Sequence, residues 1–420
     1  MSILVLGLGV TGRAVAGHFL SLGERVYGLD DKKNTEDIPG LVLVKEVPVD
    51  TRLIVVSPGI APDHPALQQG IAVTGEAELA LGCLKDRDWI GITGTNGKTT
   101  VTLFMEHLFK EAGILSAALG NVGTPLLSHI SPPGEVIIAE LSSYQLETMK
   151  TRGLKAAVLL NITPDHLDRY GTMASYAAAK ARIADCIEPK GELIIHHKTY
   201  QEWHHLFKDK LVTTYGFEAG ADLFYEGGDL FYKGKKELSL GLPPTHDVEN
   251  WMAAYLLGKV WGIGESVFLK ALLTFEKPHH RIEKIAVFKD IHFFDDSKGT
   301  NIDATIRAVE SMKGPVVLIA GGVHKGFSYR SWQEAFQGRV KGICVIGESA
   351  PLIEKDLQES FSVVRCVSME EAVKRAATWA KAEECVLLSP GCASFDMFKD
   401  YAHRGEEFKR CVQNLSKDES

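Results

Sequence analysis

Two glycine-rich stretches carry the first chemistry in this chain. WIGITGTNGKTT, Trp89 to Thr100, reads as an apolar strand entering a glycine loop that ends on lysine and threonine. Its glycines are Gly91, Gly94 and Gly97. Gly91 stands one residue earlier than the usual triphosphate-loop spacing requires, and Ile92 takes the expected place. The physics survives the shift. Backbone N–H groups of the loop from Gly94 to Gly97 would wrap phosphates, Lys98 supplies a point charge, and the Thr99 hydroxyl, followed by Thr100, lies where a Mg²⁺ ligand belongs.

ILVLGLGVTGRA at the chain start is a second cradle. Gly7, Gly9 and Gly12 form GxGxxG between a strand and a helix, with Val10 and Thr11 inside the motif. A helix N-terminus there offers unpaired N–H groups to a diphosphate. Asp30 and Asp31 follow about 20 residues on, where an acid reaches a ribose hydroxyl. The motif does not separate NAD from other nucleotide diphosphates, and a purely structural turn is the plainer alternative.

A triphosphate site needs an acid for its metal. Glu140 ends the apolar run EVIIAEL, at the sheet edge where parallel strands present ligands. A strand-end carboxylate facing water is the alternative. Asn161, Asp165, His166 and Asp168 crowd the loop after the next strand, in NITPDHLDRY. Lys180 sits in AAAKARIA. A solvated helix lysine is the default there, but small alanines would let a neighbour approach and bury it. Further on, HFFDDSKGTN carries Asp295, Asp296, Ser297, Lys298 and Thr300. AGGVHKGFS places Lys325 in a glycine turn, and LSPGCASFDMF places Ser394 at an expected helix start. This cationic, hydroxyl-rich set suits a small anion, although ordinary helix caps account for part of it. The His pairs at 196–197, 204–205 and 279–280 lack a third ligand at metal spacing and read as surface or junction residues.

The elements that must position these groups alternate strand and helix throughout, so the expectation is an α/β protein of three domains. Residues 1–82 form an N-terminal Rossmann-like domain. Residues 83–278 form a central P-loop ATPase-type domain with a parallel sheet plus a small β-region near 213–240. Residues 279–420 form a C-terminal Rossmann-like domain. The 420 residues carry a formal charge of −8, which argues against nucleic-acid binding. Seven dispersed cysteines without a CxxC pair read as reduced thiols of a cytoplasmic protein. The apolar N-terminus lacks the basic flank of a signal peptide, and no apolar run is long enough to span a membrane.

Taken in order, TGTNGKTT, AELSS, NITPDHLDRY, AAAKARI, HRIE, DDSKGTN and LSPGCASFD resemble the Mur ligase family, the ATP-dependent amino-acid ligases of peptidoglycan assembly. The likeness covers nearly the whole chain and is greatest to the D-glutamate-adding branch. It implies that the first cradle takes the UDP of a sugar-peptide through Gly9, Val10, Thr11, Asp30 and Asp31, with Asn121 and Ser142 on the sugar-peptide. ATP would be held by Gly94 to Thr100, Asn250, Arg281 and Asp296. Thr99, Glu140, His166 and a carbamylated Lys180 would ligate metal, with two Mg²⁺ sites expected. Lys298, Thr300, Lys325, Ser394 and Tyr401 would surround the amino acid, and Lys98, His166 and Lys180 would serve catalysis. The implied substrates are UDP-N-acetylmuramoyl-L-alanine and D-glutamate, for a monomer with no nucleic-acid or membrane partner. One departure stands in HDVEN, where Asp247 replaces an expected asparagine and leaves Asn250 the safer adenine contact. The competing expectations are another Mur-type or folylpolyglutamate-type ligase, a P-loop regulatory NTPase, or an NAD-dependent oxidoreductase based on GLGVTG.

Overall fold

The computed structural model describes residues 1–31, 38–129 and 131–415, with His246 by its backbone alone. Three sheets follow one another along the chain. The first contains β1 (Ser2–Leu6), β2 (Val26–Leu29), β3 (Val42–Leu43), β4 (Thr51–Val56) and β5 (Ala72–Gly75), in the order β3-β2-β1-β4-β5. All its pairings are parallel. β1 is an unbroken apolar run because both faces are covered: Ile3 and Val5 pack on one side, Leu4 and Leu6 on the other.

The second sheet contains β6 (Asp88–Thr93), β7 (Ser116–Gly120), β8 (Val136–Glu140), β9 (Leu154–Leu159), β10 (Ile187–His196), β11 (Val212–Gly216), β12 (Leu223–Glu226), β13 (Asp229–Tyr232) and β14 (Lys235–Ser239). Its order is β14-β13-β12-β11-β10-β9-β6-β8-β7. The expected small β-region is the antiparallel β12-β13-β14 meander at one edge. β6 lies between β8 and β9, so chain connections leave it in opposite directions. Such a switch point opens a crevice at the strand's C-terminal end. Helix Lys98–Glu111 packs beneath it through Phe104 and Leu108, with the Phe104 and Trp251 rings 4.6 Å apart.

The third sheet contains β15 (Glu283–Phe288), β16 (Ile291–Asp295), β17 (Val316–Gly321), β18 (Val340–Ile346), β19 (Ser362–Arg365) and β20 (Cys385–Leu388), ordered β15-β16-β20-β17-β18-β19. Only β15 runs antiparallel to its neighbour. By packing, residues 1–162 and 174–275 form one unit, and residues 163–173 and 276–420 form another. All seven cysteines are free and six are buried. Among the described residues, no helix is long and apolar enough to cross a membrane.

Two sequence expectations need correction. Ser394 does not start a helix; the helix begins at Tyr401. Asp396 ties its side chain to the N–H groups of Glu348 and Met397, which holds the segment in turns. Asp400 is the cap instead, accepting the His403 N–H at 2.7 Å. The histidine pairs also divide. His204 and His205 are exposed, as surface residues should be, whereas His196 and His280 are buried. A carboxylate explains the burial of His280, hydrogen-bonded to Asp295 at 2.6 Å, whereas Glu249 lies 3.4 Å from a His196 Nε2 that makes no hydrogen bond among the described residues.

Candidate functional site

The first glycine loop closes on itself. The Gly7 carbonyl accepts the Ser57 hydroxyl at 2.6 Å. Gly12 packs so tightly that a Cβ there would lie 1.9 Å from the same carbonyl, which excludes any other residue. Asp30 accepts the Leu8 N–H, so its carboxylate braces the loop from the end of β2. Asp31 is exposed and stands 3.4 Å from His64. Val10 is exposed and Thr11 half-buried at the helix start. An open cleft of about 990 Å³ runs from Gly9 and Val10 along this helix to Ser128 and His129.

The second loop is built at the β6 switch point. Gly97 has φ 87°, a left-handed conformation, and a Cβ there would stand 2.4 Å from the Asn250 amide oxygen. Asn250 is thereby pressed against the loop. Asn161, just past β9, grips the Asn96 peptide from both sides: its oxygen accepts the N–H at 2.8 Å, and its amide donates to the carbonyl at 3.1 Å. Lys98 donates to the Gly94 and Thr95 carbonyls at 2.8 Å each. Thr99 is half-buried and Thr100 buried at the start of helix Lys98–Glu111.

Lys180 is buried, only 2% exposed, and donates to the same Gly94 carbonyl at 2.8 Å. Its ammonium also lies 4.8 Å from the Tyr176 ring centroid. The solvated-lysine default therefore fails. Two lysine nitrogens bound to one oxygen repel each other, and converting Lys180 to an anionic carbamate would reverse that repulsion. Glu140 ends β8 fully buried. Asn121 donates to its Oε1 at 2.6 Å, while its buried Oε2 has no hydrogen-bond partner. A buried, half-satisfied carboxylate beside a polyphosphate loop suits a hard cation such as Mg²⁺. Ser142 caps helix Ser143–Leu146 in a reciprocal box with Gln145.

The second unit holds the remaining candidates. His166 adopts a left-handed conformation, φ 54°, with its N–H bonded to the Asp165 carboxylate at 2.9 Å. Asp165 is buried and also receives Lys325 at 3.0 Å and Asn301 at 3.5 Å. Lys325 thus meets the stretch 163–173, which packs within this unit. Arg281 stands between two left-handed residues, His280 at φ 63° and Ile282 at φ 52°. Strain of that kind at a non-glycine pair marks a segment held by its surroundings. Asp296, just past β16, accepts the Ser389 hydroxyl at 2.7 Å. Burial pushes its pKa up to about 7 against the lowering effects of Ser389 and Arg281. His280 is raised above its usual range by the Asp295 hydrogen bond. The Lys298 ammonium sits 3.9 Å from the Tyr401 ring centroid, a cation–π contact. Thr300 is half-buried and Ser394 buried.

Within the first unit, then, the fold brings together the loop Gly94 to Thr100, Glu140, Lys180, Asn121 and Asn250. Within the second it brings together Lys298 with Tyr401, and Lys325 with the loop that bears His166. Sequence reasoning did not assign the bracing groups Ser57, Asn301, Ser389 and Arg404, and it offered Asn161 for a metal or phosphate role rather than as a brace of the loop. Asn161 carried a signal, a polar residue directly after a buried strand. Arg404 carried none.

Family models agree with this layout. The MurD-like N-terminal domain of Mur ligases matches residues 1–77, the Mur ligase middle domain residues 92–258, and the Mur ligase glutamate ligase domain residues 280–392. A UDP-N-acetylmuramoylalanine–D-glutamate ligase of Protochlamydia amoebophila is 45% identical over 98% of both chains. Proteins of the same name from Pelotomaculum thermopropionicum and Coxiella burnetii are 37% and 36% identical, again over at least 98% of each chain. Among solved structures, the UDP-N-acetylmuramate-alanine ligase MurC of Thermotoga maritima superposes with a TM-score of 0.65 at 19% identity, covering 99% of this chain and 100% of that one. The MurF ligase of the same organism, in complex with ADP, gives 0.62 at 17% identity over 98% and 95%. With three successive domain matches and relatives similar along its whole length, the chain belongs to the Mur ligase family.

Proposed function

We propose that this chain is an ATP-dependent, amide-forming ligase that adds D-glutamate to UDP-N-acetylmuramoyl-L-alanine in cytoplasmic peptidoglycan precursor synthesis. The observation that carries this reading is the 45% identity, over 98% of both chains, to a relative named for that reaction. The site chemistry supports it. An amine does not displace oxide from a carboxylate. Phosphorylating the terminal alanine carboxylate with the γ-phosphoryl of ATP gives an acyl phosphate, whose phosphate leaves when the glutamate amine attacks through a tetrahedral intermediate. The products are an amide, ADP and phosphate.

The two phosphate cradles then have separate tasks. Gly9, Val10, Thr11, Asp30 and Asp31 bind the uridine nucleotide, and Asn121 and Ser142 the sugar-peptide. Gly94 to Thr100, Asn250, Arg281 and Asp296 bind ATP. Carboxylate and γ-phosphate are both anionic and must meet within about 3–3.5 Å. Lys98 opposes their repulsion once it exchanges its loop carbonyls for phosphate oxygens. Thr99, Glu140, His166 and a carbamylated Lys180 are the residues that would hold Mg²⁺, with two sites expected. The metal supplies charge neutralisation on the transferring phosphoryl group. Lys298, Thr300, Lys325, Ser394 and Tyr401 bind D-glutamate. The amine that attacks must be neutral, and the cationic lysines around it favour loss of its proton.

In the same reading the chain is a monomer of three domains, 1–82, 83–278 and 279–420, the first and last Rossmann-like. The test is a panel of amino acids, each given to the purified protein with ATP, Mg²⁺ and UDP-N-acetylmuramoyl-L-alanine. D-Glutamate should drive ADP release and a new amide with no change in nicotinamide absorbance. ADP release that is indifferent to the acceptor, or an amide formed with a different amino acid, would refute the assignment.

A further inference from the structure

Arg404 is a guanidinium in the first turn of helix Tyr401–Leu415, only 1% exposed. Its acceptors are all uncharged oxygens. Nη2 donates to the Ser297 carbonyl at 2.8 Å, Nε to the Ser297 hydroxyl at 3.0 Å, and Nη1 to the Cys392 carbonyl at 3.1 Å. The Ser297 hydroxyl in turn donates to the Tyr401 carbonyl at 2.7 Å. A buried charge persists only where hydrogen bonds replace its lost water. Burial lowers its pKa to about 10, so the side chain stays protonated at neutral pH.

The position of those acceptors is what matters. Ser297 immediately precedes Lys298. Cys392 lies two residues before Ser394. Tyr401 is on the arginine's own helical turn, and its ring lies under the Lys298 ammonium. Three chain segments, one of them 107 positions away from the arginine and one 12, each bearing a residue assigned to the amino acid, are thus joined through one side chain. Arg's planar fork can bond several oxygens at fixed angles, which a lysine cannot reproduce.

We propose that Arg404 is the positioning residue of the amino-acid subsite, fixing Lys298, Ser394 and Tyr401 relative to one another without itself touching substrate. The assignment of that subsite rests on the proposed function. Arg404 acts through Ser297 and Cys392, so its loss should loosen both loops and weaken D-glutamate use selectively.

The experiment compares the full-length wild type with Arg404→Met and Arg404→Lys. Michaelis constants for D-glutamate, ATP and UDP-N-acetylmuramoyl-L-alanine are measured together with amide hydrogen exchange. The expected result is a D-glutamate KM raised about tenfold or more in both variants, with the ATP KM within about twofold. Exchange should rise at Ser297–Asn301 and at Cys392–Ser394 while β16, β17 and β20 stay protected. Should the methionine variant fail to fold, the lysine variant keeps the charge and most of the bulk. Equal rises in all three KM values, or unchanged D-glutamate KM, would overturn the proposal. Unchanged exchange in the two loops would overturn it too. If the wild type itself makes no amide, the proposed function falls, yet the exchange data still decide whether Arg404 fastens the loops.

Discussion

The glycine loop at the end of β6 and the cluster after β16 and β20 both lie at the C-terminal ends of sheet strands, but they are built differently. The first draws most of its groups from one ten-residue stretch, Gly91 to Thr100, joined by Asn121, Glu140, Asn161, Lys180 and Asn250 from elsewhere. The second is tied together by bonds that reach from Asp295 to His280 and from Ser297 to Tyr401 and Arg404, more than a hundred positions on. A phosphate can be held by consecutive backbone N–H groups, so its cradle is local. An amino acid presents carboxylates and an amine in several directions, so its site must converge from several strand ends. The difference predicts where substitutions act: first-site changes should alter phosphoryl transfer, and second-site changes should alter acceptor use or stability.

The largest expected effect belongs to the first site. Lys180→Ala should lower the rate of amide formation by about a thousandfold or more, since it removes the group proposed to become an anionic metal ligand. A short carboxylic acid added to the assay should restore part of that rate. Normal turnover in the alanine variant would remove the carbamate from the account. A smaller effect is expected for Asn161→Ala, which deletes both bonds to the Asn96 peptide. The ATP KM should rise about tenfold, equivalent to ~1.4 kcal/mol, with the D-glutamate KM little changed. A selective rise in the D-glutamate KM would erase the contrast between the two sites.

The third effect is on stability, at Asp296, which lies in the second unit and is proposed to bind ATP. Unfolded, Asp296 releases its proton near 3.8; folded, it holds the proton to about 7. The folded state binds the extra proton between those values, so stability from this group is fully present below 3.8 and lost as pH rises through about 7. Asp296→Asn should therefore raise the melting temperature more at pH 8 than at pH 5, with a ceiling of about 4 kcal/mol at the higher pH. An equal change at both pH values would show that the charge is not the source of the penalty. ATP use should fall in the same variant.

The contrast also explains what was legible in the sequence. The α/β class, the edge meander and the Lys98 loop follow from periodicity and spacing, which are local signals. Glu140 was legible as a carboxylate closing an apolar strand, but its burial, which removes the water-facing alternative, was not. Lys180 was ambiguous: the alanines permitted burial, but only the Gly94 carbonyl and Tyr176 ring show what receives it. Ser394 misled because a serine before apolar residues resembles a helix cap, while Asp400 won that role through its bond to His403. His280 and Arg404 were hidden altogether. Their partners, Asp295 and Ser297, lie 15 and 107 positions away, and no spacing rule reaches that far. The left-handed backbone at Ile282 is likewise imposed by packing, since a β-branched residue does not favour it.

The central claim is that ATP activates a carboxylate before nitrogen arrives. Oxygen labelling tests it most directly. UDP-N-acetylmuramoyl-L-alanine carrying ¹⁸O in its carboxylate is incubated with the protein, ATP, Mg²⁺ and D-glutamate, and the released phosphate is analysed by mass. The account predicts one labelled oxygen in the phosphate for each amide formed. Amide formation with unlabelled phosphate would contradict it.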